Sequence, residues 1–134
     1  MKKQIIFTLL LLFPCFILFS VNQQDSLKID EKGLKEKITE LLELSEKNRT
    51  RNNDLALDYA QKALELSKEI NNDDFLYQSE FATGYAYYSK NDYENAIQWF
   101  KNSLQISQRI KNKSGEAASL NRIGNTLQLM GKYQ

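Results

Sequence analysis

Two short clusters of acidic residues are the first candidates for chemistry. Asp73 and Asp74 are adjacent, and Asp92 lies two residues before Glu94. Paired carboxylates can act as general acid and base when their environments move their pKa values apart. Nothing in the sequence activates one carboxylate of either pair against the other, and both pairs lie beside predicted turns. We therefore predict that these side chains cap helices.

The composition excludes most other catalytic and metal-binding chemistry. The 134 residues include no histidine and one cysteine, so imidazole bases, imidazole metal ligands, internal disulfides and cysteine-cluster zinc sites are ruled out. The net charge of +1 provides no field that attracts nucleic acid. We predict no enzyme activity, no catalytic, cofactor-binding or metal-binding residue, and no nucleic-acid binding by this segment.

Aromatic residues are concentrated between residues 75 and 88. Such rings can stack on bases or sugars, but a helical stripe of aromatics more often belongs to a core or an interface. One proline and five glycines in the chain favour helices over a loop-rich β fold.

The N-terminus has the layout of an export segment. Lys2 and Lys3 precede an apolar run over residues 5–21, and the first acidic residue is Asp25. We predict a signal peptide over residues 1–22, an uncleaved membrane anchor being the alternative, and a linker over residues 23–32. The residues before Cys15 are not small, so we read it as an ordinary apolar residue. The protein is then exported, either periplasmic or anchored facing the periplasm, with membrane contact only through residues 5–21.

The rest of the chain repeats itself at a shift of 40 residues. Apolar or small side chains recur with the i, i+3, i+4 spacing of an amphipathic helix in both copies. The matched pairs include Ala56 with Ala96, Tyr59 with Trp99, Ser67 with Ser107 and Gly84 with Gly124.

The motif inside this repeat resembles the tetratricopeptide repeat. Gly84-x-x-Tyr87 is followed by Ala96-x-x-x-Phe100 and Ser103. The third repeat carries Gly124, and the degenerate first repeat keeps Ala56, Ala60 and Ala63. The resemblance implies an all-α, right-handed superhelix of helix hairpins, and the apolar run of residues 5–21 predicts an N-terminal helix before it. About two and a half repeats would fill residues 33–134, namely residues 34–72, 74–112 and the truncated 114–134.

Helix bounds follow from the repeat and from the capping residues. We predict helices over residues 33–48, 54–70, 74–89, 93–111 and 114–130, with residues 131–133 as a turn. The predicted caps are Asn53 or Asp54, Asp73 or Asp74, Asn91 or Asp92, and Ser114. The period exceeds the usual 34 residues, and we place the extra length around residues 109–116. Gly84 and Ala96 are predicted where paired helices cross closely, with Tyr87 and Phe100 filling the space beyond.

In the family, the first helix of each repeat lines a concave groove that binds a peptide or helix of a partner. The resemblance assigns to this groove Gln78, Phe81, Tyr85, Tyr88 and Ser89 in repeat two, and Ala118, Asn121, Asn125, Gln128 and Leu129 in repeat three. In repeat one it assigns Ile38, Leu41, Ser45, Asn48 and Arg49.

Aromatic and amide side chains suit a largely uncharged ligand. Alternatively, Phe81 and Tyr85 simply pack between adjacent repeats. The carboxylate clamp of co-chaperone modules is not reproduced, because Tyr85 replaces one of its asparagines.

These features predict an exported, non-catalytic scaffold that binds a protein or peptide partner. The alternative is the N-terminal periplasmic sensing region of a truncated two-component sensor histidine kinase or DNA-binding regulator. Because the third repeat ends at Gln134 after its first helix, we expect this chain to be the front part of a longer protein.

Overall fold

A computed structural model of the chain describes residues 31–133. The predicted signal segment and the linker up to residue 30 lie outside the described residues. Within residues 31–133 there are five helices and no strand: α1 (residues 31–48), α2 (Asn53–Glu69), α3 (Asp73–Ser89), α4 (Tyr93–Arg109) and α5 (Lys113–Tyr133). The predicted all-α fold of stacked helix pairs is confirmed.

Three equivalent turns connect α2 to α5. Asn71, Asn91 and Lys111 each adopt positive φ, at 49°, 61° and 58°. The amide of the residue after each one donates back to a helix carbonyl, as from Asp92 N to Tyr87 O at 3.0 Å. This is the usual left-handed end of a helix. Since α2, α3 and α4 are each 17 residues long, one period consists of two equal halves.

The turns also decide which side chains cap the helices. The N-caps are Asn52, Asn72 and Asp92, whose side chains accept from amides of the first turn. Asn112 does the same for α5, accepting from Gly115 N at 2.9 Å. The predicted cap at Asp92 is therefore confirmed, and the predicted caps of α2, α3 and α5 are wrong by one or two residues. In the α2–α3, α3–α4 and α4–α5 turns, the residue with positive φ is followed directly by the N-cap of the next helix. Polar side chains further along therefore do not become caps.

The last helix also differs from its predicted bounds. Residues 131–133 belong to α5 and do not form a turn. No described glycine has positive φ, so Gly131 does not end the helix as a left-handed residue would. Residues 109–116, where we placed the extra length, form the end of α4, the turn and the start of α5.

The connection between α1 and α2 is one residue longer than the others. It spans residues 49–52, whereas the α2–α3 and α3–α4 connections each have three residues. As a result α1 ends 41 residues before α3 ends, although α2 and α4 begin 40 residues apart. The first helix is therefore shifted by one residue relative to the repeat.

Small side chains allow consecutive helices to pack closely. Ala56, Ala60, Ala63 and Ala96 are all 0% exposed. Two pairs of buried serines bond to each other across helix interfaces, Ser67 with Ser79 at 2.9 Å and Ser103 with Ser119 at 2.9 Å. Among the described residues no buried side-chain N or O atom lacks a hydrogen-bond partner, so this polar packing leaves no unpaired group.

The helices form two layers. Each of α2, α3 and α4 contacts the next helix in the chain, α3 also contacts α5, and among these helices α2 and α4 do not touch. The layer that contains α3 and α5 is thus the more tightly spaced one, and it forms the inner, concave side of the array. No helix within residues 31–133 is long and apolar enough to cross a membrane.

Candidate partner-binding groove

An open cavity of about 380 Å³ lies between α1 and α3 on the inner layer. Gln78, one of the predicted groove residues, lines it from α3 and is exposed. The α1 side is formed by Thr39, Leu42, Glu43, Glu46 and Lys47. Sequence reasoning did not assign any of these five residues to the groove.

Three of the groove residues predicted in α1 are buried in the structure and do not face the groove. Ile38, Leu41 and Ser45 are 0%, 5% and 4% exposed. Ile38 and Leu41 pack with Ala63 of α2, and the Ser45 hydroxyl donates to the Ala56 carbonyl at 2.8 Å. The extra residue in the α1–α2 connection turns these positions toward α2. Residues 48–53 are all polar, so the sequence does not show where α1 ends or that the connection is one residue longer.

A chain of aromatic rings runs along α3 on the same side. Successive ring centroids are 6.0 Å apart for Tyr77 and Phe81, 6.1 Å for Phe81 and Tyr85, and 5.8 Å for Tyr85 and Tyr88. Phe81 and Tyr85 also lie 5.4 and 6.4 Å from the ring of Phe100 in α4. All four α3 rings are half-buried, so one side packs on the core while the other remains accessible. Phe81 and Tyr85 therefore pack within the array, as the alternative prediction had it, and each also keeps an accessible side.

Two arginines meet at Tyr85. The guanidinium carbon of Arg49, in the α1–α2 connection, lies 3.9 Å from the ring centroid. That of Arg122, in α5, lies 4.4 Å from it. Both distances are within the range of a cation–π contact. Sequence analysis placed Arg49 in the groove but missed Arg122, because nothing in the sequence shows that α5 brings it to Tyr85.

The predicted groove residues of α5 lie on the surface. Asn121, Asn125 and Gln128 are exposed, and Asn125 Nδ2 donates to Asn121 Oδ1 at 2.8 Å. Ser89 is half-buried, and its carbonyl accepts from Asn53 Nδ2 at 2.7 Å. The exposed surface of α5 thus carries three amide side chains.

The motif residues lie behind the groove, between α3 and α4. A Cβ atom on Gly84 would lie 2.9 Å from Phe100 Cδ1 and 3.1 Å from Trp99 Cβ. Tyr87 stacks on Trp99 with an angle of 8° between the ring planes, while Phe100 and Ser103 are 0% exposed. Together these contacts hold the aromatic chain of α3 in place.

Two other glycines depart from the expected roles. A Cβ on Gly124 would meet no atom within 4 Å, since the described residues place no helix against this side of α5. Gly115 was not predicted to matter, yet a Cβ there would lie 2.9 Å from Tyr77 Cζ. Gly115 therefore allows α5 to approach the aromatic chain of α3.

Two titratable groups near the groove have shifted pKa values. Burial raises the pKa of Tyr77, against a hydrogen bond from its neighbour Ser119 that lowers it. Burial likewise raises the pKa of Glu80, which is 7% exposed; a hydrogen bond with Asn102 and the charge of Lys68 act in the opposite direction. Within residues 31–133 no three His, Cys, Asp or Glu residues cluster as metal ligands.

Comparison with known proteins agrees with the helix pairs. Residues 78–134 match the family model described as tetratricopeptide repeat. No curated protein matches the chain. The match begins within α3, includes the Gly84 contact and all of α4, and continues through α5. The match covers less than half of the chain, and over those residues it agrees with the stacked helix pairs of the structure.

Proposed function

We propose that the chain is a non-catalytic interaction module that binds a segment of a partner protein along its concave side. Tetratricopeptide repeats generally mediate protein–protein interaction, which makes a protein or peptide the expected ligand. One observation carries the proposal: the open cavity beside Gln78 and the half-buried rings of α3 lie on the same inner layer. Accessible aromatic side chains next to a concave surface are typical anchors of protein interfaces.

Site-specific photo-crosslinking in cells that produce the full chain tests this proposal. A photoreactive phenylalanine is placed at Gln78 or Gln128 on the inner layer, or at Gln105, an exposed residue of α4. We expect discrete adducts from the first two positions and none from Gln105. Adducts of equal yield from all three positions would contradict binding along the concave side.

We propose further that residues 1–22 export this module. Lys2 and Lys3 followed by the apolar run of residues 5–21 support this proposal. Fusing residues 1–24 to alkaline phosphatase, which is active only after export, should give an active reporter. The matched fusion with Leu10→Arg should be inactive, because a charge interrupts the apolar run. An inactive wild-type fusion would refute export.

The alternative function is a sensing region whose output domain is encoded further downstream. It rests on the combination of the apolar run of residues 5–21 with a helical-repeat array. Reading the coding region past Gln134 distinguishes the two functions. A second apolar run of about 20 residues would favour a membrane-bound regulator, whereas further repeats up to a stop codon would favour a scaffold.

A further inference from the structure

Two arginine side chains lie against the ring of Tyr85. Arg49 and Arg122 come from different elements and lie 3.9 and 4.4 Å from one ring centroid. A guanidinium that stacks on a ring uses its flat face for that contact. Its N–H groups point outward in the plane of the guanidinium and remain available for a planar acceptor.

Arg122 has no acceptor of its own among the described residues. Its side chain takes part in no ion pair or hydrogen bond there; only its backbone carbonyl is used, by Thr126. Every buried side-chain N or O atom of the described residues has a partner, so the unbonded N–H groups of Arg122 must be open to solvent. A half-buried, stacked arginine with open N–H groups is preorganised to donate hydrogen bonds to an anion.

Arg49 adds a second positive charge that is only partly balanced. Its Nη1 lies 2.7 Å from Glu46 Oε2, and its side chain is 25% exposed. Ion pairs between neighbours at such exposed positions are weak and exchange readily. Arg49, Arg122 and Glu46 together leave one positive charge around Tyr85, the third of the four rings along α3.

We propose that Arg49, Tyr85 and Arg122 form a carboxylate-binding site, and that the groove selects a partner segment carrying an aspartate or glutamate side chain. This inference rests on the proposed function and replaces the uncharged ligand expected from the sequence. The rings of α3 bind the apolar side chains of the segment. The two guanidinium groups donate hydrogen bonds to its carboxylate, because the forked donors of a guanidinium match two carboxylate oxygens.

Fluorescence anisotropy with two end-blocked, labelled peptides tests the inference. One peptide alternates leucine and glutamate, and the other has glutamine in place of each glutamate. At low salt we expect the glutamate peptide to bind about tenfold more tightly, which corresponds to roughly one charge-assisted hydrogen bond. The preference should shrink as salt is added, since the site is open to solvent.

Matched arginine variants locate the effect. Arg122→Gln should weaken binding of the glutamate peptide about tenfold and leave the glutamine peptide unchanged. Arg51→Gln removes the same charge from an exposed arginine of the α1–α2 connection and should change neither affinity. An undiminished preference in Arg122→Gln, or an equal loss in Arg51→Gln, would overturn the inference.

The remaining outcomes separate this inference from the proposed function. Equal binding of both peptides would overturn the carboxylate site while supporting the groove. Displacement of the glutamate peptide by an equal concentration of inorganic phosphate would indicate that the arginines bind free anions, and it would also overturn the inference. Failure of the glutamate peptide to bind would refute the inference, whereas the proposed function would still be judged by the crosslinking pattern.

Discussion

At the scale of single residues, Gly84 and Gly124 occupy the same place in the repeat but have different surroundings. Gly84 faces the buried ring of Phe100, whereas a Cβ on Gly124 would extend into open space. The same residue type is thus required for packing at one position and is merely permitted at the other. Only the neighbouring helix makes the difference.

Alanine substitutions at the two glycines should therefore have opposite effects. Gly84→Ala should lower the free energy of unfolding by about 1–3 kcal/mol, because the ring of Phe100 cannot move without disturbing the core. Gly124→Ala should raise it by roughly 0.5–1 kcal/mol, the usual gain when alanine replaces glycine inside a helix. Urea unfolding followed by circular dichroism measures both. Equal stability of the two variants would contradict the close packing of α3 on α4.

The buried carboxyl of Glu80 should make stability depend on pH. Burial raises its pKa in the folded chain above the unfolded value, so folding favours the protonated form. Its ionisation therefore reduces stability progressively as pH rises from the unfolded-state pKa through the folded-state pKa.

Glu80→Gln should remove this loss. The variant should be more stable than the wild type at neutral pH, and the difference should decrease as pH falls through the raised folded-state pKa of Glu80 to its unfolded-state pKa. Melting curves across this range provide the measurement, and Glu65→Gln, an exposed acid of α2, is the control. A wild-type advantage at neutral pH would show that the contacts with Asn102 and Lys68 outweigh burial.

At the scale of elements, the helix ends provide the sharpest test of the structure against the sequence. Both Asn72 and Asp74 are reasonable caps by residue type. In the structure Asn72 Oδ1 accepts from the amides of Asp74 and Phe75, at 3.1 Å each. The side chain of Asp74 is exposed one residue inside the helix.

Asn72→Ala should therefore cost about 1 kcal/mol of stability through loss of the cap. Asp74→Ala removes only a favourable charge near the helix N-terminus and should cost a few tenths of a kcal/mol, roughly the lower end of that effect. Chemical denaturation of both variants provides the comparison. A larger loss in Asp74→Ala would return the cap to the position expected from the sequence.

The three left-handed turn residues differ in how well they suit their backbone. Asparagine tolerates positive φ, whereas Lys111 adopts φ of 58° without that advantage. Lys111→Gly should stabilise the chain by about 1 kcal/mol. Lys101→Gly, at an exposed position inside α4, should instead cost about 1 kcal/mol. Thermal melting distinguishes the two, and destabilisation by Lys111→Gly would contradict the turn geometry.

At the scale of the whole molecule, burial is distributed unevenly along the array. Leu64 of α2 is 5% exposed and lies between helices, while Leu127 of α5 is 53% exposed. The described core therefore depends on α1 to α4 and on one side of α5.

Leucine truncation should reveal this distribution. Leu64→Ala should cost about 2–5 kcal/mol, the usual range for a buried leucine. Leu127→Ala should change stability by less than about 0.5 kcal/mol, as for most surface positions. Equilibrium unfolding in urea measures both effects. A large cost at Leu127 would mean that this side of α5 is covered in solution, for example by a second copy of the chain.

The sequence by itself determined the class of fold and the contacts inside the second repeat. Helical spacing of small and apolar residues, repeated at a constant shift, specifies amphipathic helices that must cover one another. The spacing from Gly84 to Ala96 and Phe100 likewise predicted a close crossing of α3 and α4. These features depend on residue size and polarity along one helix or one hairpin, and both can be read directly from the order of residues.

Only the tertiary structure decided the register of α1 and the composition of the groove. A single added residue before Asn53 rotates Ile38 and Leu41 into the core, and a run of polar residues carries no signal of where a helix stops. The meeting of Arg49 and Arg122 at Tyr85 joins three segments far apart in the chain. Such contacts depend on how the helices stack, because the sequence of one helix does not specify which distant residues will lie against it.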